Sequence, residues 1–174
     1  ENRRYISGFE SSAGYLLVTR RNAVICTDFR YIEQASQQAP GWRVDRIGGK
    51  PDWLANLVKE LEIKALGFEA DDMTVKTLDR FRKNLKQNDA NPTLKPTSSI
   101  CVELRAYKDD VELPLLQRAI DIGDQAFEET VAQLEVGMSE KEAAWIFEKA
   151  VRERGAESIS FPTIVAIGPN AARP

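Results

Sequence analysis

The spacing of apolar positions changes along the chain, and each change marks an element. Tyr15-Leu16-Leu17-Val18 and Ala23-Val24-Ile25-Cys26 are unbroken apolar runs separated by Arg20-Arg21-Asn22. Apolar runs without alternation predict strands buried on both faces. Asn tolerates the left-handed conformation of a tight turn, so the pair reads as a β-hairpin. Asp28-Phe29-Arg30-Tyr31 follows, and a short helix runs to about Gln38, where Pro40-Gly41 stops it. Trp42 to Ile47 alternates as a strand does, and Gly48-Gly49 breaks it. Pro51 opens a helix where its missing N–H costs nothing, and Leu54, Leu57, Val58 and Leu61 form its apolar stripe. Ala65–Phe68 is a short strand. Val75, Leu78, Phe81 and Leu85 mark the next amphipathic helix, whose outer face is basic. Asn91-Pro92 ends the connection, and Ser99 to Leu104 reads as a last strand. Residues 1–105 thus alternate strands and helices in an α/β pattern.

The pattern then turns polar at Arg105-Ala106-Tyr107-Lys108-Asp109-Asp110, a solvated hinge that separates residues 1–105 from 106–174. Two long helices follow. The first runs from about Val111 to Leu134, with Pro114 confined to the first turn. Leu115, Leu116, Ala119, Ile122, Ala126, Phe127 and Leu134 mark its expected buried face. The second starts at Ser139, with Glu142 three residues on, the signature of a capping box. Ala143, Ile146, Phe147, Ala150 and Val151 form its stripe, and Gly155 suits its C-terminal cap. The β-branched Ile164, Val165 and Ile167 predict a short buried strand, ended by Gly168-Pro169-Asn170, a turn that would deliver a loop to a pocket's edge.

Composition narrows the function classes. The 24 basic and 27 acidic residues give a net charge of −3, which argues against nucleic acid or an anionic membrane as the main partner. No apolar run approaches the roughly 18–20 residues that cross a bilayer, and no hydrophobic signal core follows Glu1-Asn2-Arg3-Arg4. The two cysteines, Cys26 and Cys101, read as reduced, buried thiols of a cytoplasmic protein. There is no histidine, no Cys-x-x-Cys, no phosphate loop and no Gly-x-Ser-x-Gly. The carboxylate pairs Asp71-Asp72, Glu128/Glu129 and Glu140/Glu142 diverge or lie on exposed helical faces, and none makes a metal site. Asp28 and Arg30, two apart, suit an ion pair or a turn-fixing hydrogen bond.

Several stretches resemble one family. Ser160, Phe161, Ile164, Val165, Ala166, Gly168, Asn170 and Pro174 fit the first catalytic-domain strand of the creatinase/prolidase/aminopeptidase P family, the pita-bread (M24-type) metallopeptidases. Asn2-x-Arg4-Tyr5-Ile6-Ser7-Gly8-Phe9, Ser12-Ala13-Gly14 and Thr27-Asp28-x-Arg30-Tyr31 resemble that family's N-terminal domain. Leu104-Arg105-x-x-Lys108-Asp109-x-x-Glu112-Leu113 is similar to the start of its catalytic half; Pro162 and Gln117 depart from the pattern.

The resemblance implies a fold. A creatinase-type mixed β-sheet flanked by helices, lacking its first strand and helix and so exposing an edge, would precede the first two helices and first strand of a pita-bread α+β domain. It also implies a parent Xaa-Pro peptidase of the aminopeptidase or dipeptidase kind, acting on proline-containing peptides as a homodimer. Two divalent ions, Mn²⁺ or else Co²⁺ or Zn²⁺, would share a hydroxide. The family's five metal ligands would lie beyond Pro174, so the chain alone would be inactive. Phe161 would line the wall near the residue preceding proline, and Pro174 would stand beside a substrate-touching histidine. Arg30 would serve a subunit interface or a neighbour's active site. A non-catalytic peptide- or protein-binding module on the same fold is the alternative, and creatinase, which uses the fold without metal, a third. Two helices and one strand cannot bury their apolar faces alone, so Phe127, Phe147, Ile164 and Val165 would form an exposed patch.

Overall fold

A computed structural model describes residues 1–49 and 52–172. The expected helix-opening role of Pro51 therefore lies outside the described residues. The chain divides into two compact units, Glu1–Tyr107 and Lys108–Pro174.

The first unit opens with α1 (Asn2–Ser7), a helix that the sequence pattern did not single out. Gly8 ends it at φ 73°, and its N–H donates to the Arg4 carbonyl at 2.7 Å. Glycine takes this left-handed conformation without steric cost. The hairpin forms as expected: β1 (Tyr15–Val18) pairs antiparallel with β2 (Ala23–Thr27), Tyr15 opposite Cys26. Its turn is not built on a left-handed Asn22, which has no positive φ. Thr19 organises it instead, accepting the Asn22 N–H on Oγ1 at 2.9 Å.

β3 (Arg43–Arg46) lies parallel to β2, giving the order β1-β2-β3. Parallel neighbours need a crossover, and α2 (Ile32–Gln38) supplies it. Then come α3 (Asp52–Glu60), β4 (Ala65–Glu69), α4 (Val75–Gln87) and β5 (Thr93–Thr97), with β4 and β5 paired in parallel.

Burial follows the period-2 geometry of a strand. Val24 and Cys26 of β2 face a core built with Leu54, Leu57 and Val58 of α3 and Phe81 and Leu85 of α4. Ile25 faces the other side, against Phe9 and Ala35. β2 is thus buried on both faces as expected, and β1 only in part: Leu17 is buried on one face and Leu16 packs on the other, but Val18 is 58% exposed. Tyr15 stacks on Trp53 with centroids 5.3 Å apart, and Phe81 meets both rings edge-on.

Cys26 is fully buried, and burial pushes its thiol up to about 12, with Asp45 adding to the rise. Cys101 is only partly buried. Neither forms a disulfide. A thiol reagent at pH 8 is expected to label Cys101 in the folded protein and Cys26 only after denaturation, because the thiolate is the nucleophile. Mass spectrometry of the labelled peptides reads this directly, and native labelling of Cys26 would contradict it.

The expected strand from Ser99 to Leu104 is not formed. The strand is β5, and Ile100–Ala106 is a helix, α5. Ile100, Val102 and Leu104 alternate as strand residues do, but Ser99 turns the chain at φ 62° and its carbonyl accepts the Glu103 N–H at 2.9 Å. A helix satisfies its own backbone, whereas a strand needs a neighbour. Among the described residues the β4–β5 sheet has two strands, so β5 is an edge, where Pro96 is accepted.

In the second unit, α6 (Glu112–Gln133) and α7 (Glu140–Glu153) pack through Ala126, Ala150 and Val151, with Ile122 and Phe147 beside them. Asp109 is more than a hinge residue. Its Oδ1 accepts the Glu112 N–H at 2.8 Å, and Glu112 Oε2 accepts the Asp109 N–H at 3.1 Å, a reciprocal pair of the capping-box kind. The Ser139–Glu142 capping box forms as expected. Gly155, at φ 91°, ends α7: its N–H reaches the Arg152 carbonyl and the Ala156 N–H reaches that of Val151, the two bonds of a Schellman motif.

Two expectations fail here. Most of the expected buried face of α6 is open: Leu115 is 65% exposed, Phe127 62% and Leu134 50%. A 22-residue helix is about 33 Å long and cannot be covered by a 14-residue partner of about 21 Å. The strand expected at Ile164–Ile167 also has no counterpart, because residues 161–167 form neither helix nor strand, and Gly168–Ala172 is a 3-10 turn. Ile164 is 81% exposed. The expected apolar patch is thus present at Phe127 and Ile164, while Phe147 and Val165 are half-buried.

Candidate functional site

The site residues singled out in the sequence are divided between the units, Arg30 in the first and Phe161 and Pro174 in the second. In the first unit an open concavity of about 730 Å³ lies where β2 and β3 end, lined by Arg3, Asp28, Phe29, Arg30 and Arg46 among others. Asp28 leaves β2 in an extended conformation and starts a 3-10 turn, Phe29–Tyr31. Its Oδ1 accepts both the Arg30 backbone N–H and Nε–H at 3.0 Å, and Oδ2 accepts from the guanidinium at 2.8 Å. The expected ion pair and the expected turn-fixing bond are therefore one arrangement, made on a turn and not on a strand. The Arg30 hydrogen bonds hold the Asp28 carboxyl below the usual carboxylate range. A depressed carboxylate contributes to the turn above its unfolded pKa, and that contribution is lost as pH falls through the folded value.

The Arg30 guanidinium also lies over the Tyr31 ring, 5.1 Å from its centre, and Arg46 lies over Phe29 at 5.9 Å. Arg3 donates to the carbonyls of Gly14 and Ser11. Gly14 has φ 139°, and a Cβ there would stand 3.1 Å from the Cys26 carbonyl oxygen, so the approach of this loop to β2 requires glycine. Phe29 is 69% exposed, a bulky aromatic in the x position of Thr27-Asp28-x-Arg30-Tyr31.

In the second unit Phe161 is 68% exposed and has no secondary structure around it. Pro174 lies outside the described residues. The segment after Phe161 is held by side chains of α7. Thr163 Oγ1 donates to Glu148 Oε1 at 2.8 Å, and Glu140 Oε1 accepts from the Ile167 N–H at 2.8 Å and from Asn170 Nδ2 at 3.0 Å. The Asn170 and Ile167 donors hold the Glu140 carboxyl below the usual carboxylate range. Sequence reasoning missed this role, since Glu140 reads as an exposed carboxylate; no local spacing links it to residues 27 and 30 positions away.

Each carboxylate pair singled out in the sequence has at least one member engaged in structure. Glu142 caps α7, Glu129 pairs with Arg154, and Asp71 accepts the Ser99 N–H. Among the described residues no group of three or more His, Cys, Asp or Glu side chains is placed to hold a metal ion. None of their helices is long and apolar enough to cross a membrane.

Comparison with known proteins accounts for both units. The creatinase/prolidase N-terminal domain matches residues 1–107, and metallopeptidase family M24 matches residues 114–174. The uncharacterized peptidase YqhT of Bacillus subtilis is 36% identical over 99% of this chain and 48% of its own length. An Xaa-Pro dipeptidase from Bacillus anthracis superposes with a TM-score of 0.89 at 38% identity, over 99% of this chain and 48% of that one. An X-Pro aminopeptidase from Thermotoga maritima superposes with a TM-score of 0.86 at 32% identity, over 98% of this chain and 48% of that one. The chain spans about half the length of these relatives. With its creatinase-type α/β unit followed by the opening helices of an M24 domain, the chain belongs to the creatinase/prolidase/aminopeptidase P family of M24 metallopeptidases.

Proposed function

We propose that this chain is part of an Xaa-Pro peptidase that hydrolyses the bond between an N-terminal residue and proline. The observation that carries this reading is the match, over nearly the whole chain, to an Xaa-Pro dipeptidase and an X-Pro aminopeptidase. In this reading Phe161 contributes an apolar wall near the residue that precedes proline. Its support is the exposure of a large aromatic that the fold of its own unit does not use. Pro174, the second substrate-binding residue of this reading, would stand beside a substrate-touching histidine of the whole protein. Arg30 serves a subunit contact or a neighbouring active site of a homodimer, supported by its place in an open concavity, where Asp28 and Tyr31 fix its guanidinium. Two free cysteines support a cytoplasmic location.

M24 is a metallopeptidase family. The described residues do not fit a metal centre of that kind. The ions, with Mn²⁺ favoured by hard carboxylate ligands, would be held by residues of the whole protein outside this chain.

The test is hydrolysis by the whole protein, supplied with Mn²⁺, of an X-Pro dipeptide and of a longer X-Pro peptide. Turnover of the dipeptide alone identifies a dipeptidase, and turnover of the longer peptide an aminopeptidase. Binding of both without turnover would replace the peptidase reading with a non-catalytic peptide-binding module.

A further inference from the structure

β2 and β3 run parallel with Thr27 opposite Arg46, so both leave the sheet at the same end. From β2 the chain turns through Phe29–Tyr31 into α2, and from β3 it runs on through Ile47 to Gly48 and Gly49. Chains that diverge at the carboxyl ends of parallel strands leave a crevice, the usual place for a ligand in an open α/β sheet. The concavity of about 730 Å³ lies there, within the roughly 300–1,000 Å³ of small-molecule sites. Gly48 and Gly49 line it without side chains to fill it.

The charge of this crevice is one-sided. Arg3, Arg30 and Arg46 line it against a single carboxylate, Asp28. Arg3 donates to the carbonyls of Gly14 and Ser11, which fix its guanidinium without neutralising it. Asp28 accepts the Nε–H and an Nη2–H of Arg30. A guanidinium presents its donors as a planar fork, so the Nη1 side of Arg30 is not committed to Asp28. Arg46 lies over the ring of Phe29, which is 69% exposed, and so sets a cation beside an apolar surface. Guanidinium forks match the plane of a carboxylate, and such charge-assisted bonds are the strong kind.

We propose that this concavity binds a small organic carboxylate with an apolar body, its charge on Arg30 and Arg46 and its body against Phe29. Asp28 and Tyr31 are positioning residues, since they hold the Arg30 guanidinium between them. All of these residues belong to the first unit, so the site stands whether or not the whole protein hydrolyses X-Pro peptides.

The test is calorimetric titration of the whole protein with 3-phenylpropionate at fixed ionic strength, with acetate and the neutral 3-phenylpropionamide as comparators. The amide is expected to bind at least about tenfold more weakly, because it loses hydrogen bonds between charged groups. Acetate is expected to bind severalfold more weakly, because it lacks the apolar body. A metal centre in the whole protein also takes carboxylates, so variants assign the binding to this crevice. Arg46→Gln is expected to weaken 3-phenylpropionate at least about tenfold. Arg46→Lys, which keeps the charge and loses the fork, is expected to weaken it severalfold. Arg46 is exposed, so neither change is expected to disturb the fold. Absence of binding overturns the site, as does equal binding by wild type and Arg46→Gln, or an amide that binds as tightly as the acid. A dimer that dissociates in Arg46→Gln, with no probe bound by wild type, would make the crevice a subunit contact and overturn the ligand site. Probe binding without X-Pro turnover sinks the peptidase reading alone, and turnover without probe binding sinks the carboxylate site alone.

Discussion

Given Mn²⁺ and an X-Pro dipeptide, the 174-residue chain by itself is expected to give no turnover above the uncatalysed rate. Hydrolysis on a pair of divalent ions about 3.5–4 Å apart needs several converging ligands. The chain has no histidine. Among the described residues no cluster of three ligating side chains is placed to hold an ion. Four of its carboxylates already have structural partners: Asp28 holds Arg30, Glu142 caps α7, Glu140 holds Ile167 and Asn170, and Glu129 pairs with Arg154. Peptidase rate enhancements lie within the usual enzyme range of about 10⁶-fold or more, so a continuous assay of released amino acid separates the two cases cleanly. Measurable Mn²⁺-dependent release by this chain would overturn the placement of the metal centre outside it.

Phe81→Ala is expected to lower the unfolding free energy of the first unit by about 3–5 kcal/mol, the range for truncating a buried aromatic. Phe81 is 5% exposed and sits where α4 closes over α3 and β2. Its ring also meets Tyr15 and Trp53 edge-on, at 5.4 and 5.8 Å, and such pairs add to simple area burial. Marginal stabilities make this a large share of what holds one small unit together. Urea unfolding followed by tryptophan fluorescence measures it, because Trp53 lies in the same aromatic cluster. A loss below about 1 kcal/mol would mean that the cluster collapses to fill the space. Val75→Ala, on the same helix but 74% exposed, is the matched control and is expected to change stability by no more than about 0.5 kcal/mol.

Local chemistry was legible wherever the governing interactions lie within a few residues. The Ser139–Glu142 capping box, the Gly155 cap and the Asp28–Arg30 contact each join residues two to five apart, and each formed as the sequence indicated. The Asp109–Glu112 pair was equally readable by the same spacing rule and was passed over as a hinge. The apolar stripe of α3 and the double-sided burial of β2 followed from period alone.

The misreadings share a cause. Ile100, Val102 and Leu104 carry the right residues for a strand, and so do Ile164, Val165 and Ile167. One segment became a helix after Ser99 turned the chain, and the other was tied to α7 by side chains. Strand propensity describes a residue that fits a half-buried pleated surface. It carries no information on whether such a surface has a vacancy beside it.

The sequence by itself determined the alternation of elements in residues 1–105, the two long helices that follow, the family, and the absence of histidine chemistry. These depend on residue identity and short-range spacing. Tertiary structure alone decided which apolar segment became β5, that much of the α6 face stays open, and that Glu140 grips residues nearly thirty positions away. Those outcomes depend on which surfaces meet. A hydrogen bond between distant residues leaves no periodic trace in the chain that makes it.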